Sequence, residues 1–176
     1  MKLKKQRIIE NIEEIEEYRR KINIITNAKV EEFLKIDVSG IDLLRQMKFK
    51  QNGFDPLFDE KTNFIEQINQ TFTYLVCLKA AEILITIYPT KTFKVNFGTK
   101  SGYDIFSVDN EIICECFAAT APDSNNKLKK DTEKVFNDDI ALKKYVIYYA
   151  SNPKAQHVDN IRKIYQGVKI IALDNI

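Results

Sequence analysis

The hydrophobic pattern of this chain changes period near residue 90. Before that point apolar residues recur at three- and four-residue steps. Ile8, Ile12, Ile15 and Ile22 form one such stripe, which predicts an amphipathic helix over residues 3–26. Shorter helices are predicted over 30–36 and 40–50. QNGFDPLFDEKT (51–62) carries N-G and D-P turn pairs and reads as a loop. A long helix is predicted over 63–88, stopping before Pro89. Its second half is nearly all apolar, so that end requires burial on most sides.

After Pro89 the segments become short and β-branched. Strands are predicted over 91–97, 102–109 and 111–119, a helix over 128–138 and a strand over 143–151. A helix over 154–166, closed by Gly167, leads to a last strand over 168–174. The order is helices, then α-β-β-β-α-β-α-β. This predicts a mixed α/β (α+β) fold with an N-terminal helical extension at 1–60 and a core at 61–176, packed as one compact domain.

The hairpin GYDIFSVDNEIICECFAAT (102–120) carries an acid in each strand. Asp109-Asn110 tolerates positive φ and is the predicted turn. Position i then pairs with position 219 − i, which sets Asp104 opposite Glu115. Cross-strand neighbours have Cβ atoms ~4.5–5.5 Å apart, and two like charges there repel. Either a lysine from a neighbouring element neutralises them, or a divalent cation lies between them. Mg²⁺ takes oxygen ligands and often only one or two carboxylates.

Composition narrows the classes of function. Of the 176 residues 44% are hydrophobic, enough for a real core, while 27 basic and 25 acidic residues leave a net charge of only +2. Nucleic-acid binding would need local patches, for which Lys2-Lys4-Lys5, Lys48-Lys50, Lys127-Lys129-Lys130 and Lys143-Lys144 are available. Cys77, Cys114 and Cys116 lie in apolar runs and read as buried thiols; with the lone His157 they make a poor zinc set. His157 itself is expected at the surface. No nucleotide-cradling glycine loop or G-x-S-x-G motif is present. The opening residues are basic without an apolar leader, and YLVCLKAAEILITIY (74–88) carries Lys79 and Glu82. A cytoplasmic chain with no membrane partner is expected.

An aspartate in YD (103–104), ten intervening residues and a glutamate in ECF (115–117), within the α-β-β-β-α-β order of about 63–151, resembles the PD-(D/E)xK nuclease superfamily. Type II restriction endonucleases, Holliday-junction resolvases and repair nucleases belong to it. The resemblance covers about half the chain and implies a restriction endonuclease-like core with a mixed central sheet. It implies that Asp104 and Glu115 hold Mg²⁺, with Mn²⁺ as a substitute, for in-line attack of water on a DNA phosphodiester. It further implies a restriction-type endonuclease, whose members usually dimerise; the Ile-rich N-terminal helix is expected either to pack on its own domain or to supply that homodimer contact.

One position departs from the motif. Phe117 stands where the superfamily has a lysine, and phenylalanine supplies neither charge nor hydrogen bond. The segment NNKLKKDTEK offers a replacement: Lys127, Lys130 and Lys134 share one helix face, and Lys130 and Lys127 are expected nearer the third strand than Lys134. Some members add an acid from the first core helix. A seven-residue strand spans ~23 Å, about fifteen residues of helix. Counting back from Pro89 favours Glu66 over Glu82, which has Lys79 three residues before it. Two alternatives accompany the nuclease: a catalytically inactive nuclease-fold DNA-binding or assembly protein, and an interaction domain whose acids pair with lysines.

Overall fold

The computed structural model describes residues 5–98 and 102–176. Its centre is a mixed six-stranded sheet. In spatial order the strands are β1 (Gln6–Ile9), β4 (Phe93–Asn96), β5 (Ile105–Ser107), β6 (Ile112–Ala119), β7 (Lys143–Ala150) and β8 (Val168–Leu173). The first four pair antiparallel; β6, β7 and β8 run parallel. A two-stranded ribbon, β2 (Gly53–Phe54) and β3 (Lys61–Thr62), lies apart from the sheet.

The mixed α/β class follows directly, and the strands and helices after Pro89 lie where the periodicity put them. The N-terminal segment differs. Residues 6–9, assigned to a helix by the isoleucine spacing, are the edge strand β1, with Ile9 fully buried. The helix starts only at Ile12, because the Asn11 side chain accepts the Glu14 N–H at 2.9 Å and caps it there. This helix, α1 (Ile12–Leu34), then runs through the segment read as a separate helix over 30–36. Lys2 and Lys4 lie outside the described residues.

Helix α2 (Gly40–Phe49) contains no buried residue. The loop after it folds around one acid. Asp55, 1% exposed, accepts hydrogen bonds from the Leu57 and Phe58 N–H groups, the Tyr74 hydroxyl and the Lys5 ammonium. A buried carboxylate is tolerable only with such a set of donors.

The long apolar helix α3 (Phe64–Ile87) spans the predicted range, with Asn63 as its N-cap. Its length and composition would also suit a membrane span, but here its apolar residues pack on the sheet. With α1 it covers one face, where Ile15, Ile22, Leu78 and Leu84 meet Cys114, Cys116 and Tyr145. Helices α4 (Lys127–Phe136) and α5 (Ala155–Ile164) cover the other, where Leu128, Val135 and Ile161 meet Ile113, Phe117 and Tyr148. Successive residues of β6 therefore point into different cores, as the period of a strand requires. Two expectations about α1 and α3 can be placed: Ile15 and Ile22 face the chain's own core, and Glu82 pairs with Lys79 and also with Arg19.

Candidate functional site

The β5–β6 hairpin has the register that its turn chemistry predicts. Ile105 pairs with Cys114 and Phe106 with Ile113, so the numbers sum to 219 and Asp104 faces Glu115 at the next step. The turn is wider than a two-residue one. Asn110 alone takes a positive φ (62°), and its N–H donates to the Ser107 carbonyl at 2.9 Å. The loop is longer by one residue on each side, so its centre and the register are unchanged.

Asp104 and Glu115 lie on the α4 side of the sheet, with Phe106, Ile113 and Phe117. Strand β5 begins at Ile105, whereas β6 continues to Ala119. The Cys116 N–H therefore lacks a strand partner on that side, and Asp104 Oδ2 accepts it at 2.8 Å. Glu115 is 4% exposed, and its Oε1 accepts from Lys134 Nζ at 2.6 Å. Lys134 also donates to the Gly102 carbonyl at 2.5 Å and lies 5.1 Å from the centre of the Tyr103 ring.

Electrostatics bind these groups into one unit. Burial, and then the neighbouring Asp104 charge, push Glu115 up to about 7 despite the Lys134 ion pair. Burial raises Asp104 as well, against the opposing pull of the Cys116 N–H and Lys127. Two like charges this close oppose each other's ionisation, so the charge on Asp104 makes the proton on Glu115 harder to lose.

Phe117 is core. It is 3% exposed and stacks on Tyr148 with ring centres 5.1 Å apart and planes at 10°. Yet the position is not without a cation. Lys127 Nζ lies 5.9 Å from the centre of the Phe117 ring, brought there by the first turn of α4. Lys127 pairs with Asp131 at 2.8 Å.

The sequence-predicted residues therefore divide. Asp104, Glu115 and Lys127 come together. Lys130 is exposed, and its charge acts on Asp131. Lys134, ranked behind it, is the lysine that touches Glu115, because it is the last turn of α4 that brings a lysine to the acid. Glu66 is far off. It is an exposed residue of the first turn of α3, where its side chain accepts from Gln70 and its N–H is capped by Asn63. Helix α3 covers the opposite face, and the residue it sets behind the acids is Cys77, which shares that core with Cys116. Eleven helical residues, ~16 Å, separate Cys77 from Glu66.

Asp131 is the member that the sequence reading missed. It is 5% exposed, and burial raises its pKa. Its signal was present: Leu128, Thr132 and Val135 mark the buried stripe of α4, and Asp131 falls inside it. The three cysteines are free and buried, as expected. His157 is less exposed than expected, with its Nε2 buried and unpaired.

The donor set can be tested against the implied cation. Among the described residues no three His, Cys, Asp or Glu side chains stand close enough to hold a metal ion together. Two carboxylates remain, each with one oxygen engaged by a donor and a second left over. That set fits a hard cation such as Mg²⁺, which needs only one or two carboxylates and completes its shell with water and phosphate. Comparison with protein-family models, curated proteins and solved structures returned no match.

Proposed function

We propose that the chain is a metal-dependent endonuclease acting on DNA, with a restriction endonuclease-like core of α3, β4, β5, β6, α4 and β7. One observation carries this reading. Asp104, just before β5, stands opposite the buried Glu115 of β6, one step beyond the paired residues, and an ammonium group, Lys127, lies over the ring of Phe117, the strand position without charge. Like charges so placed cost stability. Apolar residues would fill both positions more cheaply, so a role in chemistry accounts for them better than folding does.

Asp104 and Glu115 would hold Mg²⁺ or Mn²⁺. When bound, the ion would supply Lewis-acid activation of water and of the phosphate. Lys127 would stabilise charge on the phosphate oxygens. Lys134 favours the ionised form of Glu115 against the burial that opposes it, and Phe117 with Tyr148 forms the dry floor. DNA is the partner, and a homodimer through the N-terminal helices would use the apolar residues they leave exposed, such as Ile12, Ile24, Ile41 and Leu44. The test is cleavage of long, unmodified, sequence-diverse duplex DNA with Mg²⁺ or Mn²⁺. Activity that survives both Asp104→Ala and Glu115→Ala would remove these acids from the mechanism.

A second reading rests on the Lys134–Glu115 ion pair. That contact neutralises the acid without a metal, as it would in a nuclease-fold DNA-binding or assembly protein without catalysis. Calorimetric titration with Mn²⁺ separates the two: the inactive protein binds none.

A further inference from the structure

Asp131 has no place in the motif, yet it is the most deeply buried acid of α4. Its carboxylate is half-satisfied: Oδ1 accepts from Lys127 at 2.8 Å, while Oδ2 is buried without any hydrogen-bond partner. Leaving a buried acceptor unpaired is destabilising, more so when it is charged. A leucine or alanine would suit that stripe better, between Leu128, Thr132 and Val135. The usual return on such a pair is also small, because Lys127 is 44% exposed and solvent screens it. Stability does not account for Asp131.

Position does. Lys127 stands in the first turn of α4, where the helix dipole repels a cation. Its side chain is long and half in solvent, so it has many rotamers to choose from. Asp131 lies one turn further on and fixes the ammonium to one of them, the one 5.9 Å from the Phe117 ring. Asp131 also acts through its charge on both Asp104 and Glu115.

We infer that Asp131 is a positioning residue: it holds the Lys127 ammonium over Phe117, in the place of the missing strand lysine, so that it meets the scissile phosphate. This rests on the nuclease reading above. In a protein where residue 117 were itself a lysine, the acid would have no task.

The experiment compares wild type, Asp131→Asn, Asp131→Glu, Lys127→Ala and the Asp131→Asn/Lys127→Ala double variant. Each is checked for folding by thermal melting, then assayed for cleavage of sequence-diverse duplex DNA and for Mn²⁺ affinity by calorimetry. The expected result for Asp131→Asn is a fall in kcat of about 100-fold, typical of a misplaced catalytic group, with KM and Mn²⁺ affinity within about threefold of wild type. Asp131→Glu should recover part of the loss. The double variant should be no worse than Lys127→Ala alone, since the two residues act as one.

Wild-type cleavage by Asp131→Asn overturns the inference. Loss of Mn²⁺ affinity together with cleavage makes Asp131 a metal ligand and overturns it too. If Asp131→Asn does not fold, cleavage by Asp131→Glu above that of Lys127→Ala, with Mn²⁺ affinity kept, supports it, and loss of both cleavage and Mn²⁺ binding in Asp131→Glu, as in Asp104→Asn, overturns it. A wild type that neither binds Mn²⁺ nor cleaves defeats the nuclease reading and this role with it. That outcome is distinct, because it shows in the unaltered protein.

Discussion

Lys134 reaches from α4 to Glu115 at 2.6 Å, so the acid at the centre of the sheet is joined to the helix that covers it by one ion pair. The pair favours the ionised form of Glu115, while burial and the Asp104 charge oppose it, and Lys134 occupies an oxygen that a metal cation would also claim. The first expectation follows: Asp104→Asn and Glu115→Gln should each lower cleavage by more than about 100-fold and abolish Mn²⁺ binding in calorimetry. Neither should unfold the protein, because each substitution removes a repelling charge.

The pH dependence has a definite sign. Glu115 is held up at about 7, above its ordinary value near 4.5. The native state therefore takes up a proton more readily than the unfolded chain. Its contribution to stability is complete below the unfolded pKa and is lost as pH rises through about 7. At ~1.4 kcal/mol per pH unit, the cost by pH 8 is about 3 kcal/mol. Glu115→Gln removes the titration, so its Tm advantage over wild type should grow between pH 5 and pH 8. A constant difference across that range would show that Glu115 titrates normally. Cleavage should rise over the same window, since the cation needs the ionised pair.

Phe117 stands where the proposed nuclease motif would have a lysine, and placing one there should fail. Phe117→Ala should cost roughly 3–5 kcal/mol, the usual loss for a buried aromatic, and Phe117→Lys should cost at least as much. A buried ammonium there would displace the stack on Tyr148 and meet Lys127 at the same spot. Urea unfolding measures the first effect. A cleavage assay measures the second, where Phe117→Lys should gain nothing over wild type.

What could be read in the sequence, and what could not, has a physical boundary. The Asp104–Glu115 pairing was legible because a hairpin register is local: the turn fixes it, and even a wider turn kept the sum of 219. The order of strands after Pro89 was legible for the same reason. The helical covers were not. Whether α4 sets Lys130 or Lys134 above Glu115 depends on its crossing angle to the sheet, which no residue pattern states. Glu66 failed for a related reason, since a count of residues along α3 gives distance but not which face the helix covers. Strand β1 was hidden because Ile8 and Ile12 fit a helical step, although Ile8 is exposed and Ile9 is the buried one. Pairing with β4, where Ile9 meets Phe93 far along the chain, decided the matter.

That pairing predicts a cost for trimming the N-terminus. Ile9 is fully buried between the sheet and α1. Ile9→Ala should destabilise by about 2–4 kcal/mol, and removing the first ten residues should uncover the β4 edge. Denaturant unfolding checks the first. Aggregation of the shortened chain, at concentrations where the full chain stays dispersed, checks the second.

Lys134 carries the last prediction. It occupies Glu115 Oε1, an atom a cation would also claim, and it adds a positive charge to the site. Lys134→Ala should therefore tighten Mn²⁺ binding, by about tenfold for the ~1.4 kcal/mol that a screened neighbouring charge contributes. It should also leave Glu115 without its partner when the metal is absent, so the variant should be less stable than wild type and regain the difference as Mn²⁺ is added. A lysine that served the fold alone would give the loss of stability without the gain in affinity. Thermal melts with and without Mn²⁺, beside a calorimetric titration, separate the two outcomes, and unchanged or weaker Mn²⁺ affinity in Lys134→Ala would show that cation and lysine do not compete for Glu115.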